Sequence, residues 1–200
     1  MSAGATPKKR VAILISGRGS NMAALIEAAK APDYPAEIVL VLSNVPGAGG
    51  LATAAANGIA TATVDHKAFN RNREAFEQAM QAELERHRVD IVCLAGFMRI
   101  LTPWFVGQWE GRMINIHPAL LPAYKGLDTH ARALADGAKE HGATVHFVTP
   151  GMDEGETILQ EAVPVLPGDT PETLGRRVLE VEHRIYPQAL RMIATEYTLL

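Results

Sequence analysis

Cysteine is almost missing from this chain: Cys93 is the only one among 200 residues. One thiol cannot close an internal disulfide, so disulfide-stapled secreted scaffolds are excluded and a cytoplasmic setting is expected. Long apolar runs are missing as well. None approaches the roughly 18 residues of a membrane-spanning helix, and no membrane partner is expected. Residues 1–7 are small and polar, and the apolar run over 11–15 is shorter than the ~7–15-residue core of a signal peptide. Residues 1 to about 8 are therefore expected to be a flexible tail. Surplus basic charge is also lacking. Nineteen Lys and Arg stand against 22 Asp and Glu, a net charge of −3, which argues against a nucleic-acid partner. There is no internal repeat, low-complexity tract or linker, so residues 1–200 are expected to form one domain. With 48% hydrophobic and 20% charged residues, the chain is a globular one with enough core to need no staples.

Short apolar runs alternate with helical patterns over the first two thirds. Residues 11–15, 38–42, 60–64, 91–94 and 113–116 read as strands. Met22, Leu25, Ile26 and Ala29 recur at helical spacing, with Ser20 as a cap. Residues 71–86 read as a helix with Phe76, Ala79, Met80 and Leu84 on one face. Strands that are apolar throughout are buried on both faces, and strands separated by helices make a parallel, doubly wound sheet. The last third changes character. Residues 144–149 alternate and 158–165 follow a glycine-bearing loop, which suggests an antiparallel hairpin at the sheet edge. Asp169-Thr170-Pro171-Glu172 starts a closing helix striped by Leu174, Val178, Val181 and Ile185.

Ligands of such sheets sit outside the carboxyl ends of the strands, and two polar motifs fall there. Ser16-Gly17-Arg18-Gly19-Ser20-Asn21 follows a strand and opens a helix. Its glycines let the backbone approach an anion, and the first helical amides point at it. The loop resembles a dinucleotide fingerprint only weakly. Ser43-Asn44 ends the second strand where an acidic ribose partner would stand, so a single phosphate fits better than a dinucleotide; a purely structural turn is the third reading. Asn115-Ile116-His117-Pro118 is the second motif. Residues two apart on a strand share a face about 6–7 Å apart. His can move a proton near neutral pH and Asn is a fixed amide donor, a pairing suited to acyl-type transfer. The same spacing fits a strand-end Asn beside a packed His.

Four further features carry weaker signals. Leu94-Ala95-Gly96-Phe97-Met98-Arg99-Ile100-Leu101 is an apolar strand exit suited to a flat heteroaromatic ligand, with Arg99 placed for a carboxylate; core packing with a surface Arg is the plain alternative. Asp153, between Gly151 and Gly155, reads as a turn residue or as a carboxylate for His117. Glu182 shares the inward face of the last helix, where a carboxylate is unfavourable unless paired or functional, for instance toward a substrate ammonium; a rim position would also explain it. His130 and Asp128 lack further ligands at suitable spacing, so no metal is expected, and His146 reads as a packed strand residue beside the site.

In combination, and in this order along the chain, the Ser16–Asn21 loop, the 94–101 strand exit, Asn115 to Pro118, Leu120-Leu121-Pro122, residues 145–149, Asp153 and Glu182-His183 resemble the folate-dependent glycinamide ribonucleotide formyltransferases from about residue 10 to 187. The resemblance implies a Rossmann-like α/β fold and transfer of a formyl group from 10-formyltetrahydrofolate, as co-substrate, to the amine of glycinamide ribonucleotide in purine biosynthesis. It implies that Gly19, Ser20 and Asn21 bind the ribonucleotide phosphate and that Glu182 holds the glycinamide end. It places Met98, Arg99, Ile100 and Leu101 around the pterin, with Asn115 and Arg73 contacting the formyl-folate. His117 would be the catalytic acid, Asn115 its partner, and Asp153 would tune the acid. A homodimer is compatible with the resemblance.

The chain departs from that pattern at three places. Glu154-Gly155-Glu156 replaces a frequent Gly-Pro pair, Leu179 stands where a polar or basic residue often lies near the phosphate, and Asp128 replaces a His of some members. Methionyl-tRNA formyltransferases and formyltetrahydrofolate hydrolases share the core and add a tRNA-binding or regulatory domain, for which no basic or other extension is read here. A nicotinamide-dependent oxidoreductase is disfavoured by Ser43-Asn44, and a non-catalytic nucleotide-binding module would have no use for the Asn-His pair.

Overall fold

A computed structural model describes residues 7–196; most of the expected tail, residues 1–6, lies outside the described residues. In chain order the elements are β1 (Lys9–Ile15), α1 (Ser20–Ala29), β2 (Ala36–Ser43), α2 (Gly49–Ala56), β3 (Ala60–Thr63), α3 (Arg73–Arg86), β4 (Ile91–Leu94), α4 (Pro103–Gln108), β5 (Met113–His117), α5 (Thr129–Ala135), β6 (Glu140–Phe147), β7 (Thr157–Pro164) and α6 (Pro171–Glu196). A 3-10 turn, His66–Phe69, precedes α3. The strands form one sheet in the order β3-β2-β1-β4-β5-β6-β7. The first five are parallel, whereas β6 runs antiparallel to β5 and β7 antiparallel to β6. This is the doubly wound sheet with an antiparallel edge hairpin that the sequence predicts.

Strand alternation sorts the core into two layers. Val11, Ile13 and Ile15 of β1 pack with Met22 and Leu25 of α1 and with Leu174, Val178, Ile185 and Tyr186 of α6. Ala12 and Leu14, pointing the other way, join Phe76, Met80 and Leu84 of α3 and Phe105 of α4. Each fully buried aliphatic side chain contributes roughly 1.5–3 kcal/mol, so α6, with ten buried residues, is held mainly by packing. That packing fixes Glu182 and Tyr186 beneath the carboxyl ends of the central strands.

Several boundaries differ from the sequence expectation for local reasons. The helix expected over 71–86 starts at Arg73, because Arg71 takes a left-handed backbone (φ 67°) and the Asn72 side chain accepts from the Ala75 amide as the cap. Ser20 is the first residue of α1 and not its cap. The cap position is held by Gly19 in a left-handed conformation (φ 71°) without a side-chain cap bond. The helices α2, α4 and α5 went unpredicted. They are six to eight residues long, and α2 opens on two glycines with only small residues after Leu51, so it shows no apolar stripe.

Candidate active site

The glycine loop leaves β1 and enters α1 under tight steric limits. A side chain at Gly50 of α2 would come within 2.5 Å of Ile15 Cδ1 and 3.2 Å of the Gly17 and Arg18 carbonyl oxygens, and the Gly50 amide donates to Gly17 O (3.0 Å). The loop is thus braced from behind by α2. Ser16, Gly17, Arg18, Gly19, Ser20 and Asn21 line a cavity of about 590 Å³, within the range of small-ligand sites. The first amides of α1 have no intrahelical acceptor, so the cavity floor favours an anion. Met22 occupies the place of the third small residue in a dinucleotide fingerprint, and a Cβ at Gly19 would already meet its side chain at 3.2–3.3 Å. Leu179 of α6 lines the same cavity and brings no charge to it.

The chain leaving β4 forms the wall between this cavity and a second one of about 210 Å³. Ala95, Gly96 and Met98 face the glycine-loop cavity. Leu94, Phe97, Arg99, Ile100 and Leu101 face the other, together with Asn115, His146 and Asp153. Met98 was expected beside the pterin site. It belongs to the opposite cavity, because residues 95–98 turn through a left-handed Gly96 (φ 72°). Arg73 lines neither cavity; its guanidinium donates to the Ile100 carbonyl and so braces the wall from outside. Buried Glu77 anchors the far end. Its carboxylate accepts from the Thr102 amide (2.7 Å) and from the Thr102 hydroxyl, at the residue that caps α4. Sequence reasoning missed Glu77, although a carboxylate between Phe76 and Met80 on the apolar side of α3 was a visible signal.

The polar centre lies where β5, β6 and the loop after β6 meet. His117 ends β5 and is 6% exposed. Its Nδ1 faces Asp153 Oδ2 at 3.5 Å, and its Nε2 lies 2.8 Å from the Tyr124 carbonyl. A carbonyl only accepts, so Nε2 carries the hydrogen in that contact. A second proton on Nδ1 would complete an ion pair with the carboxylate. The contact between His117 and Asp153, which the sequence could not establish, is thus present. Asp153 adopts a left-handed backbone (φ 51°) and also accepts from the Gly126 amide (2.9 Å), tying the two loops over the site together. Asn115 Nδ2 lies 3.5 Å from His146 Nε2, and His146 Nε2 lies 3.8 Å from Asp153 Oδ1. Burial, outweighing the hydrogen bond that the ring donates to the Phe147 carbonyl and the Asp153 charge, lowers the His146 pKa and favours a neutral ring beside Asn115.

Glu182 stands behind the glycine loop. It is 7% exposed, and its Oε1 accepts from Asn21 Nδ2 at 3.1 Å. Burial pushes its pKa up to about 7, against the smaller opposing effect of the Asn21 bond. Asn21 Oδ1 is buried and has no hydrogen-bond partner among the described residues. Cys93 is fully buried in β4, and burial lifts its thiol to about 12, which disqualifies it as a nucleophile. His130 and His141 pair with each other (Nδ1 to Nε2, 3.1 Å). Among the described residues no group of three or more His, Cys, Asp or Glu is placed to hold a metal ion, and no helix is long and apolar enough to cross a membrane. The Glu154 departure has a visible result, since its carboxylate pairs with Lys125 across the two loops at 2.9 Å.

Comparison with known proteins agrees with this geometry. The formyl transferase family profile matches residues 9–190. The chain is 46% identical over 184 residues to the phosphoribosylglycinamide formyltransferase of Escherichia coli, covering 92% of this chain and 86% of that protein. A crystal structure of phosphoribosylglycinamide formyltransferase from Brucella melitensis superposes with a TM-score of 0.90 at 56% identity, covering 94% of this chain and 96% of that one. The trifunctional purine biosynthetic protein adenosine-3 of Bos taurus is 52% identical over 190 residues, 94% of this chain but 19% of that protein. The chain therefore spans about a fifth of the length of that larger relative. With its sheet, its two strand-end cavities and the match over residues 9–190, this chain belongs to the formyl transferase family.

Proposed function

We propose that residues 1–200 form one formyltransferase domain that moves a formyl group from 10-formyltetrahydrofolate to the amine of glycinamide ribonucleotide, in the cytoplasm and for purine biosynthesis. One observation carries the reading. Asp153 lies 3.5 Å from His117 Nδ1 and lines, with Asn115, a cavity separated by a single stretch of chain from an anion-suited glycine loop. In this reading the ribonucleotide phosphate rests on Gly19, Ser20 and Asn21, and Glu182 receives the glycinamide end. The pterin enters beside Leu101, Ile100 and Arg99. The 210 Å³ cavity is too small for a whole folate, so the remainder runs out over the exposed Ile100 and Met152.

The chemistry follows from the groups present. The substrate amine attacks the formyl carbon, giving a tetrahedral intermediate with charge on oxygen. The Asn115 amide and a protonated His117 stabilise that oxygen, and Asp153 stabilises the imidazolium. The new bond joins the formyl carbon to the substrate nitrogen, and the bond to N10 of the folate breaks. The amine proton passes through His117 or a bound water to N10. No side-chain nucleophile takes part. The test mixes purified protein with glycinamide ribonucleotide and 10-formyltetrahydrofolate and follows the absorbance of the deformylated folate. Release that depends on the ribonucleotide supports the assignment; release no faster than without it refutes it.

A further inference from the structure

Ser16 lines the glycine-loop cavity but has no part in the chemistry proposed above, and this one residue also holds the wall shared with the second cavity. Its backbone amide donates to Gly96 O (3.2 Å), and its hydroxyl accepts from the Met98 amide (2.8 Å). Both ends of Gly96-Phe97-Met98 therefore hang on one residue, which is also the first of the glycine loop. The same hydroxyl donates to Asn44 Oδ1 at 2.5 Å. A hydroxyl has one hydrogen, so the Asn44 bond commits it and leaves only lone pairs for Met98. Asn44 is 2% exposed and is itself fixed by His66, whose Nδ1 lies 2.9 Å from the Asn44 carbonyl oxygen. A chain of polar contacts thus runs from the end of β2 through Ser16 into the wall. On that wall Met98 faces one cavity, and Phe97 and Arg99 face the other.

We infer that Ser16 is a positioning residue that couples the two cavities, so that occupancy of the glycine loop sets the wall for the folate and the two substrates bind with positive cooperativity. This rests on the function proposed above. An anion drawn onto the loop amides fixes the backbone of Ser16, and with it Gly96 and Met98. The left-handed Gly96, around which an added Cβ would meet nothing within 4 Å, is the point where the wall can bend. A ligand that fixes this stretch leaves less for the second ligand to order. Coupling of this kind typically changes affinity about 5–150-fold.

The experiment measures binding of tetrahydrofolate, kept anaerobic, by calorimetry with and without saturating glycinamide ribonucleotide; with no formyl group present, nothing turns over. In the unaltered chain the ribonucleotide is expected to tighten tetrahydrofolate at least about fivefold. In Ser16→Ala the ratio of the two affinities should fall to near one, whatever happens to either affinity alone. Ser16→Thr, which keeps the hydroxyl, should retain most of the ratio. Asn44→Ala removes the acceptor and leaves Ser16 in place; it should lower the ratio as well and decides the matter if Ser16→Ala does not fold. A ratio near one in the unaltered chain, or an unchanged ratio in Ser16→Ala, overturns the inference. If both ligands bind and turnover proceeds without coupling, only this inference fails. If neither ligand binds, the proposed function fails with it.

Discussion

Replacing Glu182 with Gln should make the protein more stable and less able to hold its acceptor, and the stability gain should depend on pH. The unfolded carboxyl has its ordinary value of 4.5, whereas burial in the folded state pushes it up to about 7. The folded state therefore binds the proton more tightly between these values, and stability falls as pH rises through that window. The gap of about 2.5 pH units corresponds to ~3 kcal/mol at 1.36 kcal/mol per unit. Above pH 7 the folded protein carries this whole penalty, and below pH 4.5 almost none of it.

Glu182→Gln keeps an oxygen to accept from Asn21 Nδ2 and removes the charge. Melting temperatures of the two proteins should nearly coincide at pH 4.5, separate by an amount worth about 1 kcal/mol at pH 5, and separate fully by pH 8.5. For a chain of this size a kilocalorie is worth roughly 2–4 °C, so the full gain is about 6–12 °C. Scanning calorimetry across this pH range reads it directly. A difference that does not change with pH, or a less stable variant at pH 8.5, would show that Glu182 is not a destabilised carboxylate and would remove the reason to assign it a cationic ligand.

Four other substitutions test separate parts of the molecule. His117→Ala and Asn115→Ala should each lower turnover about 10²–10³-fold while the far-ultraviolet dichroism stays that of the folded protein; near-normal steady-state rates would displace the proposed chemistry. Gly155→Ala should abolish most activity, because a Cβ there would sit 1.6 Å from Phe147 O, forcing the loop that carries Asp153 away from His117; full activity in the same assay would show that the loop position does not matter. Tyr186→Phe should destabilise by ~1–3 kcal/mol in urea titration, since its buried hydroxyl lies 2.8 Å from Leu94 O and 3.2 Å from Ile114 O; an unchanged midpoint would mean that the hydroxyl ties nothing together.

What the sequence made legible follows from periodicity and from short-range geometry. Continuous apolar runs marked the inner parallel strands β1, β4 and β5, because burial on both faces leaves no alternation to hide them, and the change to alternation near residue 144 marked the edge hairpin. Asn115 and His117 were readable because two residues on one strand share a face whatever surrounds them. Where Met98 and Arg73 lie was not legible, because neither position depends on local pattern. A single left-handed Gly96 sends Met98 to the other cavity, and the Arg73 side chain finds a carbonyl 27 residues away. The short helices α2, α4 and α5 carry too few apolar positions for any stripe, and α2 exists because Gly50 lets its start pack on the glycine loop. The approach of Asp153 to His117 depends on a loop joining two antiparallel strands, whose register no local signal fixes.

The sheet order explains why two ligand cavities can share one wall. The order in which successive strands are added reverses between β1 and β4, which are parallel neighbours in space and far apart in sequence. At that switch point the loops leaving β1 and β4 diverge to opposite sides, and the crevice between them is where ligands of open α/β sheets sit. Here the β1 loop supplies the anion-suited amides and the β4 exit supplies the apolar face, with Ser16 joining them. Asn115 comes from β5, one strand further along, and lines the cavity of the β4 exit, with His117 of the same strand behind it against Asp153. In the transfer proposed above, this arrangement would bring the amine and the formyl carbon together. A relay through a covalent enzyme intermediate would instead need a nucleophile between the cavities. Cys93, directly below the crevice, is sealed in β4 with its thiol lifted to about 12, and the Ser16 hydroxyl spends its one hydrogen on Asn44. Neither Cys93 nor Ser16 offers that nucleophile, in keeping with the direct attack proposed above.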